Sequence, residues 1–350
     1  MNINTLLEEQ NLNISDAVHE HKTVVYLGMF LRTWGHFITD SMRLLWFVRS
    51  EAFSEKFSDC ELVYMPDTRF KPEGSYKRML EIPGVNISKI KPVTKLTKYD
   101  RVILPDECFF KNSEGVRFFT PEYRALIDSV RDFAENNYKP SDKKKVYYSH
   151  SRFGKGHTFG EDKLERYFAS KGYEIVYPEK LSLDEQLNIL INCESFASTI
   201  GSCSHNMIFL RDDTEVILIP RANYLTGYQT AIDQVHRQNI HYIDSSFSIF
   251  THKRPWDGPF LYFVSSNLRK YFHDEDTSDI IDESDFMHYL KANPPADNPD
   301  AYKYYAKTAS KYFSQLFTLK RDKTLREKLK KISVLRKAVR AVKKILHFIR

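Results

Sequence analysis

The segment ASTIGSCSHNMIFLRDDTEVILIP, residues 197–220, contains the end of one strand, a turn of small residues, a helical stretch and a second strand. β-Forming residues at 195–199 and 215–220 bracket a stretch at 204–210 whose apolar residues follow the helical period. A strand, a helix and a strand in this order are typical of an α/β unit with parallel strands. The segment therefore predicts an α/β fold.

The same alternation extends over most of the chain. Further strands are predicted at 23–30, 61–65, 101–105, 145–149 and 174–178. Further helices are predicted at 36–50, 121–137, 161–171, 182–193 and 227–238. The polar stretch NNYKPSDKKK at 136–145 separates two such groups, so we expect α/β domains at 1–138 and 139–265. A helical segment at 266–319, packing back on the body, and a basic amphipathic helix at 320–350 complete the expected organisation.

Composition excludes several classes of protein. The 350 residues are 42% hydrophobic and 14% aromatic, which excludes disorder of the whole chain. No apolar stretch approaches the ~20 residues that cross a bilayer, and the polar N-terminus lacks the order of a signal peptide. The cysteines, at 60, 108, 193 and 203, suggest neither a zinc site nor a disulfide framework, so we expect a reducing, cytoplasmic setting.

Two features of the second half suit a phosphate group. Arg152 and Lys155 follow the strand at 145–149, where a guanidinium can grip phosphate with two hydrogen bonds and an ammonium adds a point charge. The turn at 201–206, GSCSHN, precedes a helix, and exposed amides at a helix start favour an anion. The alternative is that the turn at 201–206 is an ordinary connection between α/β elements and that Arg152 forms a surface ion pair.

The order and spacing of these pieces resemble glycosyltransferase family 61, whose bacterial members are often called capsular polysaccharide biosynthesis proteins. The matching positions are 148–152 (YSHSR), 172–179 (GYEIVYPE), 181–186 (LSLDEQ), 200–209 (IGSCSHNMIF) and, near the N-terminus, 35–37 (GHF) with Asp40 and 43–44 (RL). The chain departs from the family pattern at Ile200, where a histidine is common, and after Arg152, where Lys155 and His157 replace a second arginine.

The resemblance implies a GT-B type enzyme, with two facing Rossmann-like domains, a nucleotide-sugar held mainly by the C-terminal one and inversion at the anomeric carbon. It assigns donor binding to Arg152, Lys155, Gln186, Gly201, Ser202, Ser204, His205 and Asn206. We expect no metal and no cofactor besides the nucleotide-sugar substrate, since the D-x-D sequence at 274–276 lies in an acidic loop and follows no strand.

His36 and Asp40 are the candidate catalytic residues. Residues four apart share a helix face, so the carboxylate could orient the imidazole or act as the base itself. The alternative is structural: Asp40 pairs with Arg43, and His36 caps the helix start.

The C-terminal tail is strongly basic. Residues 320–350 hold thirteen Lys and Arg against two carboxylates, and their apolar residues form one helical stripe. Such a helix suits the surface of an anionic membrane. The membrane-facing cations would be Lys330, Lys331, Arg336, Lys337, Arg340, Lys343 and Lys344. Packing on the protein or in a helical oligomer is the alternative, and nucleic acid is disfavoured because Phe348 is the tail's only aromatic residue.

The sequence thus predicts an inverting glycosyltransferase that moves a sugar from a nucleotide-sugar to a glycan or lipid-linked glycan in cell-surface polysaccharide synthesis. We expect it to be peripheral at the inner face of the cell membrane. The alternatives are a non-sugar transferase of the same architecture and a catalytically decayed, membrane-associated scaffold of a polysaccharide assembly complex. The oligomeric state stays open.

Overall fold

The computed structural model describes residues 14–152, 158–221, 225–247, 258–282, 284–285 and 288–289. Lys155, the segment at 290–319 and the basic tail lie outside the described residues, so the predictions made for them are not addressed by the structure.

Fourteen strands are assigned within the described residues. They are β1 (Val18–Phe30), β2 (Glu61–Pro66), β3 (Ile90–Pro92), β4 (Thr97–Ile103), β5 (Phe109–Lys111), β6 (Arg117–Phe119), β7 (Lys144–Tyr148), β8 (Thr158–Phe159), β9 (Tyr173–Val176), β10 (Cys193–Thr199), β11 (Glu215–Ile219), β12 (Asn239–Tyr242), β13 (Ser246–Phe247) and β14 (Phe260–Tyr262).

The strands form two larger sheets and two small ones. The first larger sheet has the order β3-β2-β1-β4, and all its pairs are parallel. The second has the order β12-β11-β10-β7-β9, and β7 runs parallel to both its neighbours, as β11 does to β12. The small sheets are β13-β14-β8 and the antiparallel hairpin β5-β6. The predicted mixed α/β class with parallel sheets is confirmed.

The α-helical segments are Trp34–His36, Glu51–Lys56, Ser75–Glu81, Pro121–Asn137, Glu161–Ser170, Leu183–Ile191, Gly227–Ile232 and Ser266–Tyr271. Single 3-10 turns lie at Ile14–Asp16, Leu45–Arg49, Ile87–Lys89, Pro178–Lys180 and Ser204–Phe209.

Local chemistry explains where the best-predicted helices begin. Pro121 occupies the first turn of helix Pro121–Asn137, where its missing N–H costs no helical hydrogen bond. Ser182 and Glu185 form a reciprocal capping box at the start of helix Leu183–Ile191.

Two of the helices predicted after residue 200 were wrong in type or length. The stretch at 204–210 is the 3-10 turn Ser204–Phe209. The helix predicted at 227–238 ends at Ile232, and the chain continues in turns until β12. In both places the chain bends back within a few residues towards the next strand, which a longer helix would prevent.

The chain divides into two compact units. The first comprises Met1–Ser149, Gly172–Leu218 and Leu225–Tyr242, and it contains both larger sheets. The second comprises His150–Lys171, Ile219–Tyr224 and Ile243–Arg350. The expected boundary at 138/139 and the facing-domain arrangement stay predictions.

Within the first unit, the two larger sheets share one core. Val25 of β1 and Val216 of β11 belong to the same cluster of buried apolar residues. Helix Pro121–Asn137 packs against helix Leu183–Ile191. Arg78 binds Asp184 through two hydrogen bonds of 3.0 Å, from Nε to Oδ2 and from Nη2 to Oδ1. An ion pair with two hydrogen bonds therefore joins helix Ser75–Glu81 to helix Leu183–Ile191.

Within the second unit, the sheet β13-β14-β8 lies beside helix Glu161–Ser170. Gly160 precedes this helix with φ of 78°, and a Cβ there would lie 2.0 Å from the carbonyl oxygen of Tyr262. Only glycine fits such a position. Lys163 of the helix pairs with Asp285 at 2.7 Å.

Candidate functional site

The segment that carries His36 and Asp40 is not the single helix predicted at 36–50. A short α-helical turn, Trp34–His36, passes into one turn of π-helix, Phe37–Ser41, in which the amide of Met42 donates to the carbonyl of Phe37 at 3.1 Å. The 3-10 turn Leu45–Arg49 follows. Single π turns inside helices occur frequently at functional sites, because they change the direction in which neighbouring side chains point.

His36 and Asp40 lie side by side, as their spacing predicts. Nδ1 of His36 is 2.9 Å from Oδ2 of Asp40. The imidazole is 41% exposed and the carboxylate only 17% exposed. A half-buried carboxylate bound to Nδ1 fixes the imidazole's orientation and leaves Nε2 as the other ring nitrogen.

Asp40 is surrounded by donors. The hydroxyl of Tyr228 donates to its Oδ1 at 3.1 Å, and the hydroxyl of Thr39 lies 3.2 Å from its Oδ2. Nη1 of Arg117 lies 4.0 Å from Oδ1. Burial raises the pKa of Asp40, but hydrogen bonds from His36 and Tyr228, together with the charges of His36 and Arg117, outweigh burial and lower the pKa below its ordinary value. Asp40 is therefore an anion at neutral pH.

Arg117 and Tyr228 were missed by the sequence analysis. The guanidinium carbon of Arg117 lies 3.4 Å from the ring centroid of Tyr228, and the Tyr228 ring meets that of His36 edge to face at 4.7 Å. Burial and the charge of Asp40 raise the pKa of Tyr228 to about 12, so its hydroxyl stays protonated and donates a hydrogen bond to Asp40. No local pattern links strand β6 with helix Gly227–Ile232, so no sequence signal could have identified the pair.

The alternative in which Asp40 pairs with Arg43 was wrong. Nη1 of Arg43 pairs with Oε1 of Glu107 at 3.2 Å, and the cation beside Asp40 is Arg117. His36 uses Nδ1 to bind Asp40, which leaves this atom unavailable for capping the helix.

The turn at 201–206 is compact and mostly self-contained. Gly201 has φ of 150°, in the region that favours glycine. The hydroxyl of Ser204 accepts from the amide of Gly201 at 3.0 Å and lies 2.6 Å from Oε1 of Gln229. The amides of His205 and Asn206 donate to carbonyls within the turn, those of Gly201 and Cys203. Ser204, His205 and Asn206 are buried, and Gly201 and Ser202 are half-buried.

The two motif segments meet in the first unit. Nε1 of Trp34 donates to Oδ1 of Asn206 at 2.9 Å, across 172 positions of sequence. A Cβ on Gly35 would lie 2.5 Å from Nδ1 of His205 and 3.3 Å from Cα of Ser202. The absence of a side chain at Gly35 thus allows the turn that contains His36 to approach the turn that contains His205.

Gln186 has a local role. Its buried amide donates from Nε2 to the carbonyls of Pro178 at 3.0 Å and Leu181 at 3.2 Å. These bonds hold the segment that leads into helix Leu183–Ile191.

Arg152, another predicted donor residue, belongs to the second unit. Arg152 is exposed there, and Lys155 lies outside the described residues. Nearby, the amide of His150 donates to Oε1 of Glu161 at 2.9 Å, and the hydroxyl of Ser151 donates to Oε1 of Glu165 at 2.5 Å. Burial and the charge of Arg221 lower the pKa of His150 to about 4, so this imidazole is neutral at physiological pH.

The D-x-D carboxylates of the second unit bind cationic side chains. Asp274 accepts hydrogen bonds from Lys171, Tyr167 and Arg269, and Asp276 pairs with Arg269 at 3.2 Å.

No helix in the described part of the chain is long and apolar enough to cross a membrane.

Comparison with known proteins identifies the family. The family model described as glycosyltransferase 61 matches residues 34–217, which is more than half of the chain. The match begins at Trp34 and includes both the His36–Asp40 pair and the turn at 201–206. A search of curated proteins returns no match. The chain belongs to glycosyltransferase family 61 and is a glycosyltransferase.

Proposed function

We propose that the protein is an inverting glycosyltransferase that uses His36 as its general base and Asp40 to orient it. The observation that carries this proposal is the His36–Asp40–Tyr228 arrangement, which adjoins the turn at 201–206 through Gly35. His36 is the more exposed member of the pair, and Asp40 is held by donors. We therefore propose His36, and not Asp40, as the general base.

Sugar transfer needs only one general base in this mechanism. The acceptor hydroxyl gives its proton to Nε2 of His36 as its oxygen bonds to the anomeric carbon of the sugar. The bond from that carbon to the diphosphate oxygen breaks, and the nucleoside diphosphate leaves with the electron pair. Asp40 stabilises the imidazolium that forms, because an anion beside a developing cation lowers the free energy of the transition state. One displacement of this kind inverts the anomeric configuration.

The nucleotide-sugar is proposed to bind through its diphosphate to Arg152 and Lys155, whose cations suit an anionic leaving group. Ser202 and His205 are the members of the turn at 201–206 that we propose contact the donor. Gly201, Ser204 and Asn206 would shape that turn, since their polar groups bond within the first unit. Gln186 would support the donor site by holding the segment at 178–181. We propose that transfer needs neither a metal nor a further cofactor.

The acceptor is proposed to be a glycan or lipid-linked glycan of cell-surface polysaccharide, in a GT-B arrangement of two Rossmann-like domains. The basic stripe of the tail supports placement at the inner face of the cell membrane, because such a helix binds anionic lipid.

A panel of nucleotide-sugars tests the proposal. Wild-type protein should release nucleoside diphosphate from one of them, with acceptor or by slow hydrolysis, and the His36→Ala variant should bind the same donor but transfer at least ~10²-fold more slowly. His241→Ala removes an imidazole from β12 and should retain wild-type transfer. Wild-type rates in His36→Ala would exclude the base role, and no turnover with any donor would favour the decayed scaffold.

A further inference from the structure

Two histidines and a carboxylate converge at the side of the first sheet where β1 meets β4. Nε2 of His19 lies 2.8 Å from Oδ1 of Asp100, and Nδ1 of His21 lies 3.3 Å from the same oxygen. The three ligand atoms all lie within 4.8 Å of one another. Among the described residues this is the one group of three or more His, Cys, Asp and Glu side chains that meets this geometry.

Strand geometry explains the convergence. His19 and His21 alternate along β1, so they project from the same face of the sheet, and their rings lie 3.9 Å apart. Asp100 projects from the neighbouring strand β4, which pairs with β1 in parallel. The register of the two strands shifts between Glu20 and Thr23, beside the cluster, and the two paired strands hold the three ligands close together without help from a flexible loop.

The separations suit a transition-metal ion. Zinc bonds of about 2.0–2.1 Å to nitrogen and oxygen place adjacent ligands of a tetrahedron roughly 3.3 Å apart. The His21–Asp100 separation already has this value, and the His19–Asp100 separation needs to open by only a few tenths of an ångström. Two imidazoles and a carboxylate form a donor set that binds zinc, nickel and cobalt in preference to calcium or magnesium.

The cluster is open to solvent, and in the described part of the chain no lysine or arginine forms an ion pair with it. The side chains of His19, His21 and Asp100 are 37%, 75% and 48% exposed. The nearby ammonium of Lys22 is bound by Glu20 and Glu61. An ion could enter directly, and water would complete its coordination.

We propose that His19, His21 and Asp100 bind one divalent transition-metal ion of the zinc class, which links β1 to the edge strand β4. The cluster lies near the start of β1, whereas His36 follows its other end; nine residue steps along the strand, roughly 30 Å, lead from His21 to Phe30. The ion is therefore a structural link in the first sheet and takes no part in sugar transfer.

Cobalt and zinc titrations of the full-length, untagged protein test the site. One Co²⁺ per chain should give visible d–d absorption that an equivalent of Zn²⁺ removes, and Zn²⁺ should raise the Tm because it binds the folded state. His19→Gln and His21→Gln should each weaken Co²⁺ binding by about tenfold or more. Asp100→Asn should weaken it as well.

His241→Gln provides the matched control, since it changes an imidazole on β12 and should bind Co²⁺ as the wild type does. Circular dichroism verifies that each variant is folded. Exposed polar residues are exchanged, so folding should persist; if a single substitution unfolds the chain, His21→Gln, at the most exposed position, gives the deciding measurement. Equal Co²⁺ binding by the wild type and the His19→Gln/His21→Gln double variant, or no binding by the wild type at 100 µM metal, overturns the proposal.

Discussion

The indole of Trp34 donates a hydrogen bond of 2.9 Å to the side-chain oxygen of Asn206. This bond joins the two segments that carry the family's motifs, the turn before His36 and the turn at 201–206, although 172 positions of sequence separate its partners. Asn206 also donates from Nδ2 to the carbonyl of Cys203 at 3.1 Å. Its side-chain amide therefore stabilises the turn at 201–206 and also binds the segment that contains Trp34. The candidate catalytic pair is positioned by this junction.

Gly35→Ala should disturb that junction. The new Cβ would meet His205 at 2.5 Å and Ser202 at 3.3 Å, and such overpacking destabilises by about 1–3 kcal/mol. Urea unfolding measures the loss, and sugar transfer should fall in parallel. Gly227→Ala is the control, because its Cβ would meet Arg117 only at an ordinary 3.6 Å. Equal stability of Gly35→Ala and the wild type would show that the two turns do not need this close approach.

Asp40→Asn should separate binding from catalysis. The amide preserves shape but loses the charge that orients and stabilises His36, so we expect transfer to fall about 10²–10⁴-fold with donor binding unchanged. Initial rates at saturating donor, with calorimetric binding of the nucleoside diphosphate, give the two readouts. A rate within twofold of the wild type would remove Asp40 from the mechanism.

The same substitution predicts a pH dependence of stability. The folded-state pKa of Asp40 is lowered, so the unfolded chain binds more protons here, and the carboxylate's stabilisation is present above the unfolded pKa of about 3.9. It is lost as the pH falls through the lower folded value. The difference in free energy of unfolding between the wild type and Asp40→Asn should therefore shrink below pH 4. A difference that grows on acidification contradicts the lowered pKa.

Arg117 should act as a positioning residue through Tyr228 and Asp40. Arg117→Ala removes the cation stacked at 3.4 Å on the Tyr228 ring, and we expect kcat to fall about tenfold with KM for the donor nearly unchanged. Arg117→Lys keeps the charge but not the planar stack and should recover part of the rate. Arg43→Ala serves for comparison, since Arg43 pairs with Glu107 instead. Equal losses in both alanine variants would point to a general effect of charge.

Arg152→Ala tests the proposed donor site. Loss of a charge-assisted hydrogen bond worth about 1.5–3 kcal/mol should weaken nucleoside diphosphate binding by roughly 10–100-fold. Isothermal titration calorimetry measures this directly. Arg166→Ala removes an exposed arginine of the same unit that pairs with Asp162 at 3.0 Å, and it should bind as the wild type does. Unchanged binding by Arg152→Ala would place the phosphate site elsewhere.

The basic tail should confer membrane binding. A truncation at residue 319 removes thirteen cations, each contributing about 1 kcal/mol near an anionic surface. Full-length protein should float with liposomes that contain anionic lipid, and the truncated protein should not. Neutral liposomes provide the control for electrostatic binding. Equal flotation of both proteins on anionic liposomes would contradict the anchor.

The predictable parts of this fold are those with strong local signals. Pro121 and an amphipathic stripe define helix Pro121–Asn137 with the bounds that the sequence predicts, and Ser182 with Glu185 marks the start of helix Leu183–Ile191 within one residue. The hairpin β5-β6 was missed because each of its strands has three residues, too few to show a period. Yet this hairpin brings Arg117 to Asp40.

The sequence by itself determined the α/β class and the family and placed His36 and Asp40 on one face, because each depends on residue types at short, regular spacings. Only the tertiary structure decided that Tyr228 and Arg117 complete that pair, that Arg43 turns to Glu107, and that Gly35 lies against His205. These contacts join residues far apart in sequence. They form when whole sheets and turns pack together, and no local period encodes that packing.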